Sequence, residues 1–165
     1  MTTVERAVRL VGLVTLTLAL AALLPHAAAA QGDPHAGTWV LNVAKSSYTP
    51  GPGPKAQTAV YAAAGDGLKV TATGTSADGK PTAAEFTVVF DGKDHPAKGS
   101  PDWDAVASKR VDSHTIEFTR KKAGKVVQTA TSVVSKDGKT RTVTTATGVN
   151  AQGQKIKTVA VYEKK

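Results

Sequence analysis

The sequence predicts an all-β fold: an antiparallel meander of about eight to ten strands, closed into a small barrel and preceded by a helical signal peptide. Three observations carry this reading. Thr- and Val-rich runs, several with period-two alternation, recur after residue 30. Asp-Gly pairs separate consecutive runs at Asp66-Gly67, Asp78-Gly79, Asp91-Gly92 and Asp137-Gly138. Such a pair supplies the positive φ angles of tight hairpins. No long amphipathic helical pattern follows residue 30.

The first thirty residues are read apart from the barrel. Met1 to Arg9 carries Arg6 and Arg9, and Leu10 to Leu24 is apolar and uncharged. Pro25 breaks that run, and Ala27 to Ala30 offers the small residues a signal peptidase accepts, so cleavage is expected after Ala30. The run is shorter than the about 20 residues of a membrane span. The expected division is a signal peptide at 1–30 and a β-barrel domain at 31–165. This implies a periplasmic or secreted location and no integral membrane segment after cleavage. The chain has no cysteine, hence no lipid-attachment site and no disulfide. Its stability must come from a core and a hydrogen-bonded sheet.

The strands follow in order. Thr38 to Val43 comes first. Tyr48 to Pro54 holds three prolines, which forbid a helix there. Then come Gln57 to Ala63, Leu68 to Thr75, Ala83 to Phe90, Asp104 to Val111, His114 to Lys121, Lys125 to Val134, Thr140 to Thr147 and Lys155 to Tyr162. Tight turns make neighbours antiparallel. A meander of this length removes its exposed edges by closing on itself, with a two-layer sandwich as the competing solution. Phe86, Val88 and Phe90 share one face of their strand, as do Ile116 and Phe118 of theirs. With Tyr162 they are the expected interior lining.

The net charge is +8. Its densest stretch, Arg120 to Lys125, falls at a turn and has no aromatic residue among its basic ones. A nucleic-acid surface would interleave the two, so a solvated basic face is expected and no nucleic-acid partner.

Both ends of the barrel domain carry a resemblance. Gly37-Thr38-Trp39 resembles the Gly-x-Trp motif of the calycin superfamily, which includes the lipocalins and the fatty-acid-binding proteins. Val161-Tyr162-Glu163-Lys164 is similar to the Tyr-Glu close of the latter. Leu41-Asn42, Lys45-Ser46, Tyr48 and the Pro-Gly-Pro run that follows also look like a group of small exported bacterial lipocalin-like proteins. The resemblance implies that Gly37 and Trp39 are structural. It also implies a cationic side chain over the Trp39 ring, from Arg141 or Arg120. Fatty-acid-binding proteins often clamp a carboxylate with Arg-x-Tyr on the last strand; aligned on Tyr162, that arginine is replaced by Ala160. Their helical lid also has no counterpart here, and a fatty-acid role does not follow.

Candidate chemistry is sparse. Asp91, Asp94, His95, Asp102 and Asp104 concentrate oxygen and imidazole donors in one stretch, read as a polar loop at the barrel mouth. They are weak candidates for a metal, because the spacing fits no EF-hand and no His-Glu-x-x-His is present. His35 and His114 have no partner at motif spacing. With no cysteine and no Gly-x-Ser-x-Gly elbow, no nucleophile is marked. The expectation is a non-enzymatic, monomeric barrel without cofactor that binds a small apolar or amphipathic molecule. The alternative is a cell-envelope interaction or structural protein whose barrel is filled.

Overall fold

The computed structural model describes residues 32–150 and 152–165. The expected signal peptide lies outside the described residues. The strands are β1 (Gly37–Leu41), β2 (Ser47–Thr49), β3 (Ala56–Ala64), β4 (Gly67–Thr75), β5 (Pro81–Val88), β6 (His95–Lys98), β7 (Ala105–Arg110), β8 (Thr115–Lys122), β9 (Lys125–Val134), β10 (Thr140–Gly148) and β11 (Lys157–Lys164). From β3 to β11 each strand pairs antiparallel with its successor, and β1 pairs with both β3 and β11. The sheet therefore closes into a ten-strand barrel. Closure leaves no sandwich and no free long edge.

The two motif-bearing ends form the seam. Trp39 lies opposite Lys164 and Leu41 opposite Tyr162. Past Leu41 the first strand breaks into a short 3-10 turn, Val43–Lys45, and resumes as β2, which also pairs with β11. Asn42 caps that turn by accepting a bond from the Lys45 amide. Asn42 and Lys45 both reach Glu163, at 2.9 and 3.0 Å. Ser46 Oγ repairs the ladder at the break: it accepts from the Val161 amide at 2.9 Å and donates to the Asn42 carbonyl at 2.7 Å. Ser46→Ala is expected to lower stability by about 1 kcal/mol, read as a drop in the urea midpoint. An unchanged midpoint would show that this seam bond contributes nothing.

Several features depart from the sequence reading. No strand was expected between Val43 and Gln57, but Ser47–Thr49 forms β2 because β11 offers it a free edge. The Asp91 to Asp104 stretch is not one loop. Its centre is β6, held between β5 and β7 through the pairs Phe86–Ala97 and His95–Val106. The β3–β4 turn is Gly65-Asp66, one residue earlier than Asp66-Gly67. Gly67 already belongs to β4, where a Cβ would lie 2.2 Å from the Val88 carbonyl oxygen.

Alternate links fall at opposite ends of a meander. One end carries residues 33–36 and the β3–β4, β5–β6, β7–β8 and β9–β10 links. It is closed by Trp39, Leu68, Val70, Ile116 and Val134, all buried. His35, which has no partner at motif spacing in the sequence, is fully buried there. Its carbonyl accepts from Trp39 Nε1 at 2.8 Å. The other end carries the β2–β3, β4–β5, β6–β7, β8–β9 and β10–β11 links, and it is open.

Candidate functional site

Inward positions alternate with outward ones on every strand, so the pairing register decides what faces the interior. The interior is not filled. It holds a cavity of about 760 Å³ that reaches the surface beside Pro52, Asp78 and Pro101. Of the expected lining, Phe86, Val88, Ile116, Phe118 and Tyr162 face the cavity. Phe90 does not line it. That ring lies towards the closed end, where the Arg110 guanidinium covers it at 3.9 Å from the centroid. Arg110 is in turn ion-paired with Asp33.

The cavity has two unlike walls. Strands β3 to β5 supply Ala59, Val70, Ala72, Ala84, Phe86 and Val88. Strands β8 to β11 add Ile116, Phe118, Val143 and Ala160, and with them the polar Arg120, Gln128, Arg141, Thr145 and Tyr162. The apolar wall follows from the clean alternation of β4 and β5. The polar wall follows from the Thr-rich strands, where hydroxyls and longer polar chains occupy inward positions.

A chain of bonds orders the polar wall. Arg120 Nη1 donates to Gln128 Oε1 at 2.6 Å, and Gln128 Nε2 donates to Thr145 Oγ1 at 2.7 Å. Irregularities in pairing flank this row, at Arg120/Lys121 between β8 and β9 and at Thr145/Thr147 between β9 and β10. Such bulges re-aim side chains next to binding sites. Deeper in the cavity, Arg141 Nε donates to Ser132 Oγ at 2.6 Å, and its guanidinium stacks 4.0 Å from the Tyr61 ring centroid. Tyr162 OH donates to Gln57 Oε1 at 2.5 Å. Burial pushes the Tyr162 hydroxyl pKa up and the Arg120 guanidinium pKa down.

The cation over Trp39 is Lys164, 5.1 Å from the ring centroid, and neither Arg141 nor Arg120. The register explains this, because Lys164 stands directly opposite Trp39 while Arg141 stands opposite Tyr162. Arg120 sits instead 4.8 Å from the Trp103 ring centroid. Trp103, on the β6–β7 link, meets Phe86 edge to face at 5.2 Å. It forms a lip at the cavity mouth.

The metal candidates are dispersed. His95 Nε2 lies 3.0 Å from Asp91 Oδ1. The Lys93 amide, with His95, holds the Asp91 carboxyl below its usual range. Asp94 pairs with Lys121 at 2.8 Å, and Asp104 accepts from the Ala123 amide of the β8–β9 turn. Asp102 is exposed at the mouth. Among the described residues no three His, Asp or Glu side chains converge on one point.

Sequence reasoning missed Arg120, Gln128, Tyr61 and Trp103 as site residues. One signal was available: Arg120 continues the inward series of Ile116 and Phe118. The chain matches no protein-family model, no curated protein and no solved structure.

Proposed function

We propose that the protein is an exported carrier that holds a small apolar or amphipathic molecule inside its barrel. The cavity of about 760 Å³ carries this reading. That volume lies within the range of about 300–1,000 Å³ usual for ligand pockets, and its mix of apolar lining with a few polar groups is also usual. The pairing of the Gly-x-Trp start with the Tyr-Glu close supports grouping the chain with the calycin-like barrels. The leader-like first thirty residues support a periplasmic or secreted location. We assign a binding role without catalysis or cofactor, acting as a monomer, with no nucleic-acid partner. The runner-up, a cell-envelope structural protein with a filled barrel, gives the cavity no role.

A neutral fluorescent probe, phenylnaphthylamine, tests the proposal. It is expected to brighten on binding and to quench Trp103 at the mouth. Ala84→Trp, on the apolar wall opposite Ala72, should fill the space and cut probe affinity by about tenfold or more, since an overpacked pocket excludes its ligand. Circular dichroism should remain that of the parent. A dark probe, or equal binding by Ala84→Trp, would sink the carrier reading.

A further inference from the structure

The polar wall presents two cations without a counter-ion. Arg141 is 4% exposed, yet among the described residues its side chain has only a hydroxyl as hydrogen-bond partner, beside an aromatic face. Arg120 is held by an amide oxygen and two rings, Trp103 and Phe118, and its Nε has no hydrogen-bond partner among the described residues. Among those residues neither guanidinium forms an ion pair with a carboxylate, although Arg110, Lys45 and Lys121 all do. Asp102, exposed at the mouth, acts on Arg120 only from a distance. Withdrawing a charge from water without pairing it is unfavourable, so buried charges are normally paired. Two guanidiniums on one wall of one cavity, neither ion-paired among the described residues, therefore favour negative charge beside them. Arginine also presents a fork of donors matched to carboxylate or phosphate oxygens.

We propose that the cavity is a site for an amphipathic organic anion, a carboxylate or phosphate ester. The acidic group meets Arg120 and Arg141, and the apolar body lies along Ala72, Ala84 and Phe86. This deepens the carrier reading and rests on it. The strand positions matter. The arginines come from β8 and β10, whereas the last strand has Ala160 two residues before its Tyr162. The Gln128–Thr145 row fixes the Arg120 head group before any ligand arrives, which lowers the ordering cost of binding.

The test uses the full chain and three probes of one apolar length: decanol, decanoate and decyl phosphate. Each is titrated against bound phenylnaphthylamine. One or both anions should displace the dye at concentrations at least about tenfold below decanol. Which anion is stronger identifies the acidic group. Arg120→Met and Arg141→Met should each weaken anion binding by about 10- to 100-fold, the usual loss when a hydrogen bond to a charged group is removed. Dye affinity should change less than anion affinity in the same variants, because the neutral dye makes no such bond.

A second readout needs no ligand. Unliganded Arg120→Met should melt at or above the temperature of the parent, since replacing a half-buried, unpaired charge by an apolar chain relieves desolvation. If Arg141→Met does not fold, Arg120→Met decides alone. Equal displacement by decanol and both anions would overturn the anion site and leave the carrier reading standing. Unchanged anion affinity in Arg120→Met would do the same. Failure of all three probes and of the dye would remove both.

Discussion

Trp39→Ala is expected to lower folding stability by about 3–5 kcal/mol, the usual loss for a buried Trp truncated in a core. Trp39 is 0% exposed and sits where β1 is paired on one side with β3 and on the other with β11. Its ring packs in the core cluster that closes the barrel end, under the Lys164 ammonium. Its Nε1 also satisfies the His35 carbonyl, which the variant leaves buried without that donor. Single domains hold about 5–15 kcal/mol in total, so one substitution removes a large share. Trp39→Phe keeps the ring volume in part and should lose less, while still forfeiting the bond to His35. Urea unfolding gives both values. A loss below about 1 kcal/mol for Trp39→Ala would mean that the barrel end is not closed by this ring.

How legible such a fold is depends on whether a strand has two unlike faces. Leu68, Val70 and Ala72 against Lys69, Thr71 and Thr73 define β4 locally, and the structure buries that same set more deeply. Strand β6 is four residues with a proline and no large apolar side chain to mark its inner face. It exists because Glu85 and Phe86 on one side and Ala105 and Val106 on the other impose a register. Strand β2 depends on β11, more than a hundred residues away. No local pattern announces either one.

The site divides along the same line. Phe86, Val88, Ile116 and Phe118 are legible as lining because alternation points them inward. Arg120 obeys that alternation too, but a basic run suggests an exposed turn. Arg141 lies on a strand with Thr on both sides, so its inward direction is set only by its partners, Val134 and Tyr162. The cation over Trp39 was legible in kind but not in identity, because the seam register is a tertiary fact. The same holds for the burial of His35, which follows small turn-forming residues and is enclosed only when the barrel end closes around it.

That burial predicts a pH dependence. Desolvation, then the nearby Arg141 guanidinium, lowers the His35 pKa from the ordinary 6.5 to about 4. Asp33 opposes this shift and Arg110 adds to it. Neither ring nitrogen makes a hydrogen bond of normal geometry among the described residues, and the His114 backbone near the ring opposes the shift as Asp33 does. Folded protein therefore keeps His35 neutral across a range in which the unfolded chain takes up a proton. Stability from this group is fully present above the unfolded value of 6.5 and falls as pH drops towards about 4, below which its loss levels off. At about 1.4 kcal/mol per pKa unit, the loss across that window is about 3 kcal/mol. Asp112, held low by the His114 amide, and Asp137, held low by Ser135, lose their contributions only at lower pH, below the ordinary carboxylate value. The histidine window is thereby separated from theirs. Urea midpoints measured from about pH 8 to about pH 4 should fall steeply for the parent and much less for His35→Gln, which has no proton to gain. Parallel profiles would assign the acid sensitivity elsewhere. A parent that gains stability on acidification would mean that His35 is protonated in the fold, with Asp33 outweighing both arginines.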